Sequence, residues 1–176
     1  MTEIKSTLDI IVEKTKGLTP TDEERQAFRA KEIQDKIEGW VQKAFDRILS
    51  PEKLRENLEG LSPERAGEAR IALIHACIDR VDPEGDNALG YALIRTGGGV
   101  DSAPFEEEVS QCRDRLEAGK AERGLEYLER LRARGVSGSA VRANLHADPQ
   151  WRERVEQEKI HLREALRALS SSGFPE

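Results

Sequence analysis

The chain has 176 residues, a length that suits a single domain with a sizeable core. Its formal net charge of −6 argues against the broad basic footprint that nucleic-acid capture requires. No apolar run approaches the roughly 18–20 residues of a membrane span. The opening MTEIKSTLDIIVEK is a charged amphipathic pattern, without the uninterrupted apolar stretch of a signal peptide. A cytoplasmic protein with no membrane contact is expected.

Charged residues make up 35% of the chain and aromatics only 5%, with Ala, Leu, Glu and Arg abundant. That composition favours helix and leaves strands little to build with. The prolines punctuate the chain: Thr19-Pro20, Ser50-Pro51, Ser62-Pro63, Asp82-Pro83, Ala103-Pro104 and Asp148-Pro149 each read as a helix start or its near neighbourhood. A side-chain oxygen at the cap accepts an orphan N–H, and proline presets φ for the first turn.

Ile4, Leu8, Ile11, Val12 and Thr15 recur at helical spacing, predicting a helix over Ser6–Lys16 that ends at Gly17. A helix so short does not stand alone and must dock. The next is expected from Thr19-Pro20 to Leu49, a length of about 45 Å at 1.5 Å per residue. From Asp22 to Lys36 it is charged, with only Ala27, Phe28 and Ile33 offering burial; from Ile37 on, Trp40, Val41, Ala44, Phe45, Ile48 and Leu49 form a stripe. A compact domain of this length is only about 35–40 Å across. The helix near 20–49 is therefore expected to project or to pair with a second chain, and Gly39 marks a bend.

Ser50-Pro51 opens a short helix carrying Leu54, Leu58 and Leu61. Ser62-Pro63 opens a helix over 63–81, where Ala66, Ile71, Leu73, Ile74, Cys77, Ile78 and Val81 cover about half the cylinder. So wide an apolar face places it centrally. A turn at Asp82–Asp86 leads to a short helix over Asn87–Arg95 with Leu89, Tyr91, Leu93 and Ile94, ended by a flexible Gly97-Gly98-Gly99 connection. Pro104 starts a helix carrying Phe105, Val109, Cys112 and Leu116. Gly119-Lys120 is expected to break it before a fresh stripe of Leu125, Leu128 and Leu131. The piece LEAGKAERGLEYLERLRARG thus resembles the turn of a tetratricopeptide-type hairpin, although no 34-residue period recurs. A loop at Gly135–Ser139, a brief turn with Val141 and Leu145, and a last helix after Asp148-Pro149 follow. That helix turns Trp151, Val155, Leu162, Leu166 and Leu169 inward, and residues 171–176 fray. The fold class is all-α: one domain over 1–170, a bundle of seven or eight helices built from short helical hairpins around 63–81. Cys77 and Cys112 both fall on apolar faces and read as reduced core thiols.

Chemistry concentrates on the stripe opposite the apolar face of 63–81. Glu68, His75, Asp79 and Asp82 stand at i, i+7, i+11 and i+14, a set suited by type to a divalent metal or to acid–base work, and equally suited to a solvated stripe. Glu158-Lys-Ile-His161 matches the Glu-x-x-His fragment of di-iron bundles. The required second fragment is missing, because Ala72 and Ala143 precede His75 and His146. The pairs Glu56-x-x-Glu59 and Asp79-x-x-Asp82 loosely resemble the acidic magnesium sites of all-α nucleotide pyrophosphatases, with Asp79 standing where that family has glutamate. This resemblance implies a magnesium- or manganese-dependent hydrolase. Arg95-Thr96-Gly97-Gly98-Gly99 lacks the lysine and preceding strand of a phosphate loop. Arg130, Arg132, Arg134 and Arg142 make a basic cluster, interleaved with Glu126 and Glu129 as on a solvated face. No nucleophile elbow is present and no motif calls for a cofactor.

The stretch IKSTLDIIVEKTKGLT followed by a capped charged helix, together with GVSGSAVRANLHADPQW, resembles a group of bacterial hypothetical proteins of unknown function. The resemblance implies a small cytoplasmic bacterial protein and transfers no catalytic residue. The residues themselves favour a non-enzymatic helical protein that forms a homodimer or binds another protein. The acidic-pair hydrolase is the alternative.

Overall fold

The computed structural model describes residues 21–172. The helix expected over 6–16, the Thr19-Pro20 start and residues 173–176 lie outside them. Among the described residues every regular element is helical: α1 (Asp22–Phe45), α2 (Pro51–Glu59), α3 (Pro63–Ile78), α4 (Ala88–Leu93), α5 (Ala103–Ala133) and α6 (Pro149–Ser172). A π-helical turn, Ile94–Gly98, continues α4, and a 3-10 turn spans Leu145–Ala147. No described helix is long and apolar enough to cross a membrane.

Local chemistry explains most boundaries. Thr21, rather than Thr19, caps α1: its N–H donates to Glu24 Oε2 at 2.7 Å, and the Glu24 N–H donates to Thr21 Oγ1 at 3.2 Å. This reciprocal box satisfies two orphan donors at once. The helix runs unbroken past Gly39 and stops at Phe45, short of the expected Leu49, because Arg47 turns to a left-handed φ of 59°. Ile48 is consequently exposed. Ser50 caps α2 by accepting from the Lys53 N–H at 3.2 Å. At Ser62 the backbone is extended as a cap requires, with Pro63 in the first turn.

The expected break at Gly119-Lys120 does not occur. Helix α5 is continuous for 31 residues, so no hairpin turn forms there. An interior glycine costs a helix only about 1 kcal/mol, and here its bareness is used. A Cβ on Gly119 would lie 2.8 Å from Cζ of Arg154, so the α6 guanidinium crosses α5 directly over this backbone. Burial along α5 follows Phe105, Val109, Cys112 and Leu116 to Gly119 and then ceases, leaving Leu125 65% exposed.

The glycine run is likewise no slack connection. Gly97 and Gly98 are buried, and a Cβ on Gly97 would meet Leu73 Cδ2 at 2.8 Å and Leu54 and Leu58 at 3.2 Å. On Gly98 it would meet Ile74 Cγ1 at 2.9 Å. Bare backbone thus wedges α2 and α3 against the end of α4, and Gly99, at φ 71°, turns the chain away.

Helix α3 packs on α1, α2, α4, the π turn and α6. Leu73, Ile74, Cys77 and Ile78 are buried as their spacing predicts. The inward arc is nevertheless rotated: Ala69 and Ala76 are inside while Ile71 is 41% exposed. The C-terminal ends of α1 and α3 are fastened together, with Arg80 Nη2 donating to Gln42 Oε1 at 3.1 Å and its guanidinium 5.8 Å from the Phe45 ring. Burial fades toward their N-terminal ends. Every residue from Thr21 to Glu32 is exposed, Phe28 to 70%, and the α1 core begins only at Ile33.

Two glycine substitutions separate these roles. Gly97→Ala should cost about 1–3 kcal/mol in urea denaturation, because the added methyl overpacks Leu73. Gly39→Ala, where a Cβ meets nothing within 4 Å, should instead add about 0.5–1 kcal/mol.

Candidate functional site

The stripe singled out on α3 lies at a seam between three helices. A cavity of about 330 Å³ opens there. Helix α1 contributes Ala30, Ile33, Gln34 and Glu38. Helix α3 contributes Glu68, Ile71, Ala72, His75, Ala76 and Asp79, and Arg167 reaches in from α6. Helix spacing produces this wall, since residues three, four and seven apart share a face. The floor is apolar, with Ile33 and Ala76 buried, while the carboxylates stand at the exposed rim.

Hydrogen bonding fixes the chemistry of the polar groups. His75 Nε2 lies 3.3 Å from Ser170 Oγ, and the Ser170 hydroxyl donates to the Arg167 carbonyl at 2.7 Å. The serine proton is therefore already engaged, so His75 donates from Nε2 and Ser170 is not set up as a nucleophile. Asp79 Oδ1 accepts from Arg167 Nη2 at 2.7 Å. Glu38 accepts from Gln34 Nε2 at 3.0 Å. Neither Glu38 nor Glu68 faces a cation among the described residues.

Of the four predicted residues, Glu68, His75 and Asp79 line the cavity, and Asp82 does not. Asp82 lies beyond α3 and builds the following turn: its N–H donates to Asn87 Oδ1 at 3.0 Å, its carbonyl accepts from Asn87 Nδ2 at 2.7 Å, and Lys159 Nζ approaches its carboxylate at 3.4 Å. Among the described residues no three His, Cys, Asp or Glu side chains converge to hold a metal. Spacing explains this. Glu68 and His75 are seven residues apart on one helix, about 10 Å along its axis, whereas metal ligands sit within about 2–2.6 Å of a common point.

The other sequence candidates are occupied by their own neighbours. Glu56 pairs with Lys53 at 2.6 Å and Glu59 with Arg55 at 3.5 Å, all on the exposed side of α2. Glu158 pairs with Arg115 at 3.1 Å across α5 and α6, while His161 is exposed. Arg95 is held by Ser102 Oγ at 2.6 Å and Glu106 Oε1 at 3.0 Å, so the glycine run beside it offers no anion cradle. Arg130 approaches Glu126 at 3.8 Å, and Arg142 donates to the Ser139 carbonyl at 2.7 Å. Both cysteines are buried free thiols; burial pushes Cys77 up to about 12 and raises Cys112, which leaves each inert at neutral pH.

Ala30, Gln34, Glu38 and Arg167 belong to the seam and were not apparent from sequence. Each is ordinary within its own helix, and only the meeting of α1, α3 and α6 gives them a shared cavity. Comparison with protein families, curated proteins and solved structures finds no match to this chain. The geometry therefore carries the functional reading.

One charged pair elsewhere is structural. Asp148 is 7% exposed, caps α6 through the Gln150 N–H at 3.0 Å, and accepts from Arg123 Nε at 2.6 Å. The guanidinium holds its carboxyl below the usual range. The ionised form is thus favoured in the fold, contributes stability above the unfolded value near pH 4, and loses it as pH falls through the lowered native value. Asp148→Asn should lower the melting temperature at pH 7. The gap from the parent protein, followed by circular dichroism, should narrow as pH drops below about 4.

Proposed function

We propose that the protein is a non-enzymatic interaction module. The seam between α1 and α3, centred on Ile71 and continued by the free half of α1, is its recognition surface, and α3 is its organising helix. The observation that supports this is a partly exposed Ile71 on a cavity floored by Ile33, Ala72 and Ala76, beside a helix whose first three turns touch no core. Such a groove between helices suits the apolar anchor of another helix. The proteins best served by it are a second copy of the chain or a helical segment of another protein.

A recognition surface and a core differ in what substitution does. Ile71→Glu and Phe28→Glu should leave stability within about 0.5 kcal/mol of the parent. Leu73→Ala, which empties a fully buried site, should cost about 2–5 kcal/mol. In the same samples Ile71→Glu should abolish binding of an amphipathic helical peptide measured by fluorescence anisotropy. A large loss of stability at Ile71 would make it core and remove the reading. A rise in melting temperature with magnesium or manganese that is lost in Glu56→Gln or Asp79→Asn would favour the acidic-pair hydrolase instead.

A further inference from the structure

The charges around the seam are uneven. Three carboxylates, Glu38, Glu68 and Asp79, line the cavity against one guanidinium, Arg167, and that guanidinium is bound to Asp79 at 2.7 Å. Glu38 and Glu68 stand on opposite walls, one on α1 and one on α3, with the apolar floor between them. Glu64 falls on the same stripe of α3, one turn before Glu68. The same two helices also carry Arg29, Lys31 and Lys36 on α1 and Arg65 and Arg70 on α3, none of which lines the cavity, and Arg163 shares the adjoining hollow with Asp79 and Arg167. His75 is occupied on one ring nitrogen by Ser170.

We infer that the seam selects a helix with basic flanks: an apolar side chain of the partner enters over Ile33, Ala72 and Ala76, while its lysines or arginines face Glu38 and Glu68. This rests on the interaction reading above and adds the chemical class of the partner. The rim carboxylates are solvated, so they contribute to selection and encounter rate more than to raw affinity. The chain's net charge of −6 acts in the same direction at long range.

Two labelled peptides of about 18 residues test this, sharing one leucine stripe at helical spacing and differing only in lysine or glutamate flanks. Titrated by anisotropy against the full chain, the lysine-flanked peptide should bind about tenfold tighter, and raising salt from about 20 to 150 mM should shrink the difference. The double substitution Glu38→Lys and Glu68→Lys should reverse the preference. Glu153→Lys with Glu156→Lys, an equal change of net charge at exposed positions of α6, should leave it in place. Equal binding of both peptides, or reversal by the α6 pair, overturns the inference and leaves the interaction reading standing. Binding of neither peptide by a chain that is also monomeric in sedimentation overturns both. If sedimentation shows a dimer that Ile71→Glu converts to monomer while neither peptide binds, the occupant is a second copy. If the peptides bind only after removal of residues 1–20, the occupant is the chain itself. Either result overturns a basic partner helix.

Discussion

At Gly97 and Gly98 the backbone of the π turn lies so near Leu73 and Ile74 that no side chain fits between them. This contact fixes one face of α3. Leu54 and Leu58 close over Gly97, so α2, α3 and the end of α4 meet at a single wedge. With that face of α3 committed, Ala69 and Ala76 turn inward as well, and small side chains there allow close approach of a neighbouring helix. Ile71, one position off that arc, is left at the edge. The seam thus follows from a steric constraint on its far side.

The two halves of α1 behave differently for a related reason. From Ile33 through Ala44 the helix places Ile33, Ile37, Val41 and Ala44 inward at helical spacing, and Arg80 secures its end through Gln42 and Phe45. Before Ile33 the sequence supplies only Ala27, Phe28 and Ala30 among charges, and all three are exposed. Propagation from a packed half, together with the Thr21–Glu24 box, is enough to keep the polar half helical. In the proposed reading, a helix held in this way would offer a partner a formed surface and so lower the ordering cost of binding.

How legible this was depends on whether the deciding physics is local. Helix starts were readable where a cap and proline act within one turn, as at Ser50 and Asp148. Inward residues were readable where an apolar stripe is long, as at Phe105, Val109, Cys112 and Leu116. Glycine misled at Gly39, which sits in an unbroken helix with open space around it, and again at Gly119 and at Gly97–Gly98, where one cause serves for both. Glycine signals slack in the chain and close approach equally well, and only the neighbour distinguishes them. Arg154 lies 35 residues from Gly119, and Leu73 lies 24 residues from Gly97, so neither neighbour is visible locally. The polar stripe of α3 was readable as a stripe. Its companions Glu38 and Arg167 were not, because nothing in a single helix states which others it will meet. The seven-residue gap between Glu68 and His75 did carry a usable signal, since about 10 Å along one helix keeps the two from sharing a metal.

Helix α1 is packed from Ile33 onward and exposed before it. Hydrogen exchange across that helix in the full chain tests this most directly. Amides of Ile37–Phe45 should be protected nearly to the global limit, and those of Gln26–Glu32 should exchange at least about 100-fold faster. Equal protection along the whole of α1 would mean that its first half is covered by the protein itself, and would contradict a recognition surface there.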